Sequence, residues 1–338
     1  MKKLHQKLAC LHRSWVKFGG RRRKCKTCGQ TWRVYHHKRG RDQKRQVNIF
    51  EKYITGGLPA LVHCARKKKV SVRSLSYILE KQRDLFNQKT AWPKIPKGPL
   101  ILIADAFIHQ IQHQWHTTHI VLVRSITEEK AVVLPPYFAT GREGMVNWFN
   151  ALDQVPPEVK KRVKALVSDG HQGIVNYAKS YGWVRQRCTF HLIAAMQGRR
   201  SRRKYSSHRD EGELIYRLTR SVLGETDLVK FFKSLSELES LGWQTKSNQL
   251  RKIISGFVKS VDDYRSWLIY PELNLPDTSN SAESIIGIFE RFHARSRGFK
   301  TVESLEQWVV AILKYRQEIF CRPKQKKDTE KEEENQPN

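Results

Sequence analysis

The chain has 338 residues, enough for one large domain or two to three ordinary ones. Its 63 Lys and Arg against 32 Asp and Glu give a formal charge of +31, which makes nucleic acid the expected partner. A hydrophobic share of 39% with nine tryptophans excludes wholesale disorder, and the lack of any apolar run of about 18 residues argues against a membrane protein.

The basic start, Met1-Lys2-Lys3, has no apolar core behind it, so no signal peptide is expected. Six cysteines are too few for a disulfide scaffold and point to a reducing compartment. Residues 1–45 hold sixteen basic residues and one acid, Asp42. Within them Cys25-Lys26-Thr27-Cys28-Gly29 is a CxxC knuckle whose glycine lets backbone amides turn toward sulfur. Cys10 and His12 supply a CxH half, so that four N/S ligands would form a closed zinc site. Ordinary thiols and a surface histidine are the alternative. Arg21, Arg22, Arg23 and Lys24, with Trp32 nearby, suit a phosphate backbone.

From 46 to 92 the pattern turns helical. Val47, Phe50, Tyr53 and Ile54 fall at helical spacing, Gly56-Gly57 interrupts them, and Leu58, Leu61, Val62 and Ala65 resume. Ser71 is a candidate N-cap for a helix with Leu75, Ile78 and Leu79 on one face and Arg73 near its start. Helix, turn and capped helix predict a helix-turn-helix-like region, with a plain helical linker as the alternative.

Residues 98–104 are a continuous apolar run that reads as a buried strand ending at Asp105. A hairpin and third strand follow at 119–123 and 131–134, and a helix over 144–152. Val163–Val167 then repeats the device and leads to Asp169, before a helix over 174–180 and a strand over 184–188. An acid at the end of a buried strand needs a partner or a cation. If the two strands lie side by side, Asp105 and Asp169 form an oxygen site for Mg²⁺, with a third acid expected from a helix. Glu283 fits the first turn of a helix capped by Ser279 or Asn280, with Ile285, Ile288, Phe289 and Phe292 buried; Glu290 is its rival.

Taken in order, Asp105 after its strand, Ser168-Asp169-Gly170, Gln186-Arg187-Cys188-Thr189-Phe190-His191 and Thr278-Ser279-Asn280-Ser281-Ala282-Glu283 closely resemble the prokaryotic insertion-sequence transposases related to the Mutator-like group. The likeness covers about 98–315. It implies an α/β, ribonuclease-H-like mixed sheet with a helical insertion, and Asp105, Asp169 and Glu283 as a DDE triad holding two Mg²⁺ or Mn²⁺ ions. The spacings of 64 and 114 residues fit. Cys188-Thr189-Phe190-His191 matches the family's C-x-x-H signature; Cys188 and His191 are read as supporting or DNA-contacting, and His171 as a phosphate or water contact. The CxH half departs from the usual C-x-x-C and puts the zinc in doubt.

The expected organisation is a zinc-ribbon-like module at 1–45, helix-turn-helix-like region at 46–92, catalytic core at 93–191 and 276–321, helical insertion at 192–275 and a disordered charged tail at 322–338. Arg199, Arg200, Arg202, Arg203 and Lys204 open the insertion and face water or DNA, and Arg291, Arg295, Arg297 and Lys300 form a further basic set. Stripes at Leu214, Leu218 and Leu223, and at Phe231, Leu235, Leu238 and Leu241, mark its helices, with Trp243 and Trp267 in the core. Trp148, Tyr177 and Trp183 also read as core, and His109, His113, His116 and His119 as surface histidines on the hairpin.

The function implied is a transposase that binds transposon ends, cleaves DNA strands and transfers the 3′-hydroxyl to target DNA. The alternatives are an inactive transposase-derived DNA-binding protein and a structure-selective nuclease. Double-stranded DNA and a homo-oligomer are the expected partners, with no membrane and no nucleotide cofactor, since no P-loop is present. The setting implied is the prokaryotic cytoplasm, at the nucleoid.

Overall fold

A computed structural model of the chain describes residues 14–19, 22–33, 41–200 and 209–323. Cys10, His12, Arg21, Arg202, Arg203 and Lys204 lie outside these residues, as do the side chains of Arg199 and Arg200 and the tail beyond 323. The chain divides into two units, Met1–Ile49 and Phe50–Asn338, so the first boundary falls a few residues later than expected.

The first unit carries a three-stranded antiparallel meander of β1 (Trp15–Lys17), β2 (Arg22–Cys25) and β3 (Thr31–Arg33). Cys25 ends β2 and is buried, and Cys28 is exposed in the turn that follows. The Thr27 amide points at Cys25 Sγ from 3.4 Å, and Gly29 takes a φ of 71°. Arg23 stacks on the Trp15 ring and Lys24 lies over Phe18.

The helix α1 (Arg41–Lys68) is bent at Gly57, whose φ of 62° and ψ of −151° are not helical. In α2 (Val72–Lys89) Ser71 is the N-cap, accepting from the Ser74 amide at 3.1 Å. Leu75, Leu79 and Arg83 of α2 are buried, whereas Arg73 and Tyr77 are exposed. The buried face of α2 lies on the late helix α12 (Val302–Arg316), where Asn87 donates to the Gln307 carbonyl, and Phe50 of α1 stacks on Trp308 of the same helix.

A mixed sheet forms the centre of the second unit. Its strands are β4 (Leu100–Ile111), β5 (Gln114–Ser125), β6 (Lys130–Val133), β7 (Tyr137–Thr140), β8 (Val163–Ser168), β9 (Val184–Arg187) and β10 (Glu318–Phe320). Their order is β10-β6-β5-β4-β8-β9, with β7 pairing the first part of β5. The β4–β5–β6 part is antiparallel, while β8 runs parallel to both β4 and β9. Side chains alternate along a strand. On one face Leu100, Leu102 and Ala104 of β4 meet Trp148 and Leu152 of α3 (Met145–Asp153) and Ile174 and Tyr177 of α5 (Gln172–Ser180). A short α4 (Pro157–Lys160) joins α3 to β8. On the opposite face Phe107 stacks on Phe289 of α11 (Asn280–Arg295).

The excursion between β9 and α11 is helical throughout its described part: α6 (Thr189–Arg200), α7 (Arg209–Gly224), α8 (Leu228–Gln244), α9 (Asn248–Val258) and α10 (Val261–Ile269). These helices have their own core, including Met196, Ile215, Val222, Leu238, Leu250, Ile254 and Phe257. Trp148, Tyr177, Trp183 and Trp267 are buried as expected.

Several expectations are corrected. β4 does not stop at Asp105 but continues six residues to Ile111, paired residue for residue with β5. His119 is fully buried and His116 nearly so, so these two are not surface residues. The His119 ring meets Trp148 edge-on, and a small, flat, weakly polar ring fits that slot. Trp243 is 76% exposed, and Leu214 also faces outward. On α7 the inward face is Ile215, Thr219, Val222 and Leu223, with Leu218 packed at its edge, so of the expected stripe only Leu214 misses the core.

Candidate active site

Three chain segments meet above β4 and β8. The parallel register sets Ile103 opposite Val167, so Asp105, midway along β4, stands level with Asp169, just past the end of the neighbouring β8. Odd-numbered residues of β4 face α11, which places Asp105 on the side from which Glu283, in the first turn of α11, arrives. Glu290, the rival acid, is exposed.

Asp105 feels the charges of the other two acids. Burial, opposed by a hydrogen bond from the Ala106 amide (2.8 Å), pushes Asp105 up to about 7, and the nearby charges of Asp169 and Glu283 push it the same way. A hard divalent cation beside these oxygens would relieve the unfavourable ionisation of Asp105. Asp169 sits just past β8 with Oδ1 accepting from the His171 amide at 2.9 Å. Between them Gly170 has a φ of 92°, and a Cβ there would lie 2.1 Å from Arg187 Nε. The loop is therefore clamped under the Arg187 guanidinium, which also reaches Ser260 Oγ (2.8 Å) and the Tyr264 ring.

Glu283 is held through one oxygen. Ser279 Oγ donates to Oε1 at 3.0 Å, His191 Nδ1 stands 3.5 Å from it, and the buried Cys188 thiol donates at 3.7 Å. The Ser279 amide in turn donates to Cys188 Sγ at 3.2 Å. Ser279 is the N-cap residue of α11, but its side chain serves the acid rather than the helix amides. A hydrogen bond with Cys188, together with the nearby carboxylates of Asp105 and Glu283, pushes His191 up to about 9.

Cys188, His191 and Glu283 are the group of metal-ligand type whose donor atoms lie within 4.8 Å of one another among the described residues. That S, N, O set suits a borderline ion such as Zn²⁺, whereas Asp105, Asp169 and Glu283 suit Mg²⁺ or Mn²⁺. Glu283 belongs to both sets.

The other expected residues are placed as follows. His171 is the N-cap of α5, with Nδ1 accepting from the Gly173 amide at 3.1 Å, so that nitrogen is engaged in the fold. Arg185, from the second basic run, is paired with Asp263 of α10 at 2.8 Å. Arg291, Arg295, Arg297 and Lys300 are exposed. Sequence reasoning did not find Ser279 as a partner of Glu283 or Arg187 as a clamp. The signal for Ser279 was its i, i+4 spacing to the acid, read there as a capping option. Arg187 acts through residues more than 70 positions away and left no local signal.

A comparison with protein-family models finds no match, and one with curated proteins finds none either. Among the described residues no helix is long and apolar enough to cross a membrane.

Proposed function

We propose that the chain is a DDE transposase whose catalytic centre is Asp105, Asp169 and Glu283. The observation that carries this reading is that Asp105 of β4, Asp169 just past the adjacent parallel β8 and Glu283 at the start of α11 lie on one side of the sheet, with Asp105 made reluctant to ionise by burial and by the charges of the other two. The order β6-β5-β4-β8-β9, three antiparallel strands followed by two parallel ones, supports a ribonuclease-H-like sheet, and α6–α10 supply the helical insertion. A divalent cation bound by the triad would supply positive charge for in-line phosphoryl transfer.

The chain's own residues set the stage for that chemistry. Asp105 is fixed by the β4–β5 ladder, Asp169 by its loop amide, and Glu283 by Ser279, Cys188 and His191. His191, pushed toward its protonated form, would add a positive group at the rim, suited to a phosphate oxygen. Double-stranded DNA as substrate rests on the +31 charge, on the basic β2 hairpin and on exposed Arg73 of α2. A zinc-ribbon role for the N-terminal module rests on the Cys25 and Cys28 knuckle, and a helix-turn-helix role on α1 and α2. Work on transposon ends in a prokaryotic cytoplasm follows from the family resemblance.

The test is cleavage of DNA carrying the element's ends in Mg²⁺ or Mn²⁺. Asp105→Asn and Asp169→Asn are expected to abolish strand cleavage while DNA binding persists. Metal-dependent cleavage retained in both variants would sink the assignment. A chain that binds end DNA but never cleaves it would favour the inactive DNA-binding alternative.

A further inference from the structure

Cys188 just past β9, His191 in the first turn of α6 and Glu283 in the first turn of α11 bring a sulfur, a nitrogen and an oxygen within 4.8 Å of one another. Their separations are those of ligands rather than of hydrogen-bonded partners. His191 Nδ1 and Glu283 Oε1 are 3.5 Å apart, and Cys188 Sγ stands 3.7 Å from the same oxygen. A nitrogen and a carboxylate joined by a charge-assisted hydrogen bond close to about 2.7–2.9 Å. Zinc bonds of about 2.1 Å to nitrogen and oxygen and about 2.3 Å to sulfur, at tetrahedral angles, hold N and O about 3.4 Å apart and S and O about 3.6 Å apart. Both observed distances match those edges.

The surroundings suit the same ion. Cys188 is fully buried, and its sulfur accepts from the Ser279 amide at 3.2 Å, a donor that favours thiolate over thiol. Glu283 Oε1 accepts from Ser279 Oγ at 3.0 Å, the outer hydrogen bond that orients a ligating carboxylate. The His191 side chain is 42% exposed, which gives the ion a path inward and leaves room for water as a fourth ligand.

We propose that Cys188, His191 and Glu283 bind one Zn²⁺ ion, distinct from the hard cation of Asp105 and Asp169. Thiolate and imidazole select zinc over Mg²⁺. The ion ties the start of α6 to the start of α11, joining residues 95 positions apart, and so staples the base of the helical excursion. Glu283 gives Oε1 to zinc and keeps its other oxygen for the triad. The three donors stand whether or not the chain cuts DNA, so the inference goes beyond the transposase reading and does not depend on it.

Co²⁺, which replaces zinc in tetrahedral sites and absorbs light, tests this on the full chain in excess Mg²⁺. A double variant, Cys25→Ser with Cys28→Ser, removes the N-terminal knuckle. It should still bind one equivalent of Co²⁺, with a thiolate-to-cobalt charge-transfer band and the strong visible bands of a four-coordinate ion. Zn²⁺ should bleach both, with a dissociation constant of about 1 µM or below. Adding Cys188→Ser, nearly isosteric, should abolish the charge-transfer band. His191→Gln, at an open position, should weaken binding by more than about tenfold. In the wild type Cys188→Ser should remove one equivalent of Co²⁺, whatever the knuckle binds. Asp105→Asn should leave the cobalt spectrum in place, which separates this site from the triad. DNA cleavage retained in Asp105→Asn would sink the triad and leave the zinc site standing. No charge-transfer band in a folded double variant, a band that survives Cys188→Ser, or binding indifferent to His191→Gln would overturn the proposal.

Discussion

Ser279 gives its hydroxyl proton to Oε1 of Glu283 across 3.0 Å. The cap residue of α11 thus orients the acid one turn above it. Cys188 and His191 lie against the same oxygen, which leaves the other oxygen of the carboxylate for a ligand.

Ser279→Ala removes that donor while leaving the acid in place. Hydrogen bonds to charged groups are worth about 1.5–3 kcal/mol, less where water competes, so Mn²⁺ affinity should fall by about 3–10-fold. Ser279→Thr should restore most of it. Mn²⁺ titration by electron paramagnetic resonance measures both. Equal affinity in the Ala variant would show that the serine is structural only.

Asp105 makes the cation-free protein sensitive to pH. Its folded value of about 7 lies above the ordinary 3.8, so the folded state holds a proton that the unfolded chain releases. This contribution to stability is full below about pH 4 and is lost as pH rises through about 7. Asp105→Asn should therefore raise the Tm of the cation-free protein at pH 8 by a few degrees and change it little at pH 4. Mg²⁺ should raise the wild-type Tm and have less effect on the variant. A fall in Tm at pH 8 would contradict the strain assigned to this carboxylate.

His119 acts with the opposite sign. Burial lowers it from 6.5 to about 4, so the unfolded chain takes up a proton first as pH falls. Stability is lost between about pH 6.5 and pH 4, by an amount on the order of 3 kcal/mol at most. His119→Gln, which cannot ionise, should flatten acid denaturation in that window, at some cost in packing against Trp148. Urea midpoints at pH 7 and pH 5 would show a smaller difference for the variant than for the wild type.

Gly170→Ala tests the clamp on the second aspartate. The added methyl would meet Arg187 Nε, and the φ of 92° is unfavourable for any L side chain. A loss of about 1–3 kcal/mol in stability is expected, together with weaker Mn²⁺ binding, because the loop holding Asp169 must shift. Urea unfolding and the same metal titration measure the two effects.

Much of this architecture was legible because its signals are local. The Val163–Val167 run delivers Asp169 where expected, Ser71 caps α2, and Glu283 opens α11. The extension of β4 was not, because its hairpin turns at Gln112 and His113, both at positive φ without a glycine to announce the turn. β7 and β10 are edge strands of four and three residues, too short to show alternation. Trp243 was misplaced because the close approach of α8 to α9 is made by its neighbour Gly242, a contact that no periodicity reveals. The burial of His119 likewise depends on Trp148 and Tyr137, which come from other segments.

The helical excursion leaves the sheet and rejoins it beside the point where it left, while α10 lies along β9 through Arg185–Asp263 and Arg187–Ser260. Cys188 and Thr189 at its start are tied to Ser279 and Asp277 at its end, through the Ser279 amide on Cys188 Sγ and the Thr189 amide on the Asp277 carbonyl at 2.9 Å. Distance along the chain and distance in space are thereby uncoupled at this seam. The helices α7 to α9 between can change their outer faces without altering where Glu283 lands. The acids obey the geometry of the seam, and the helices beyond it are free to follow other demands.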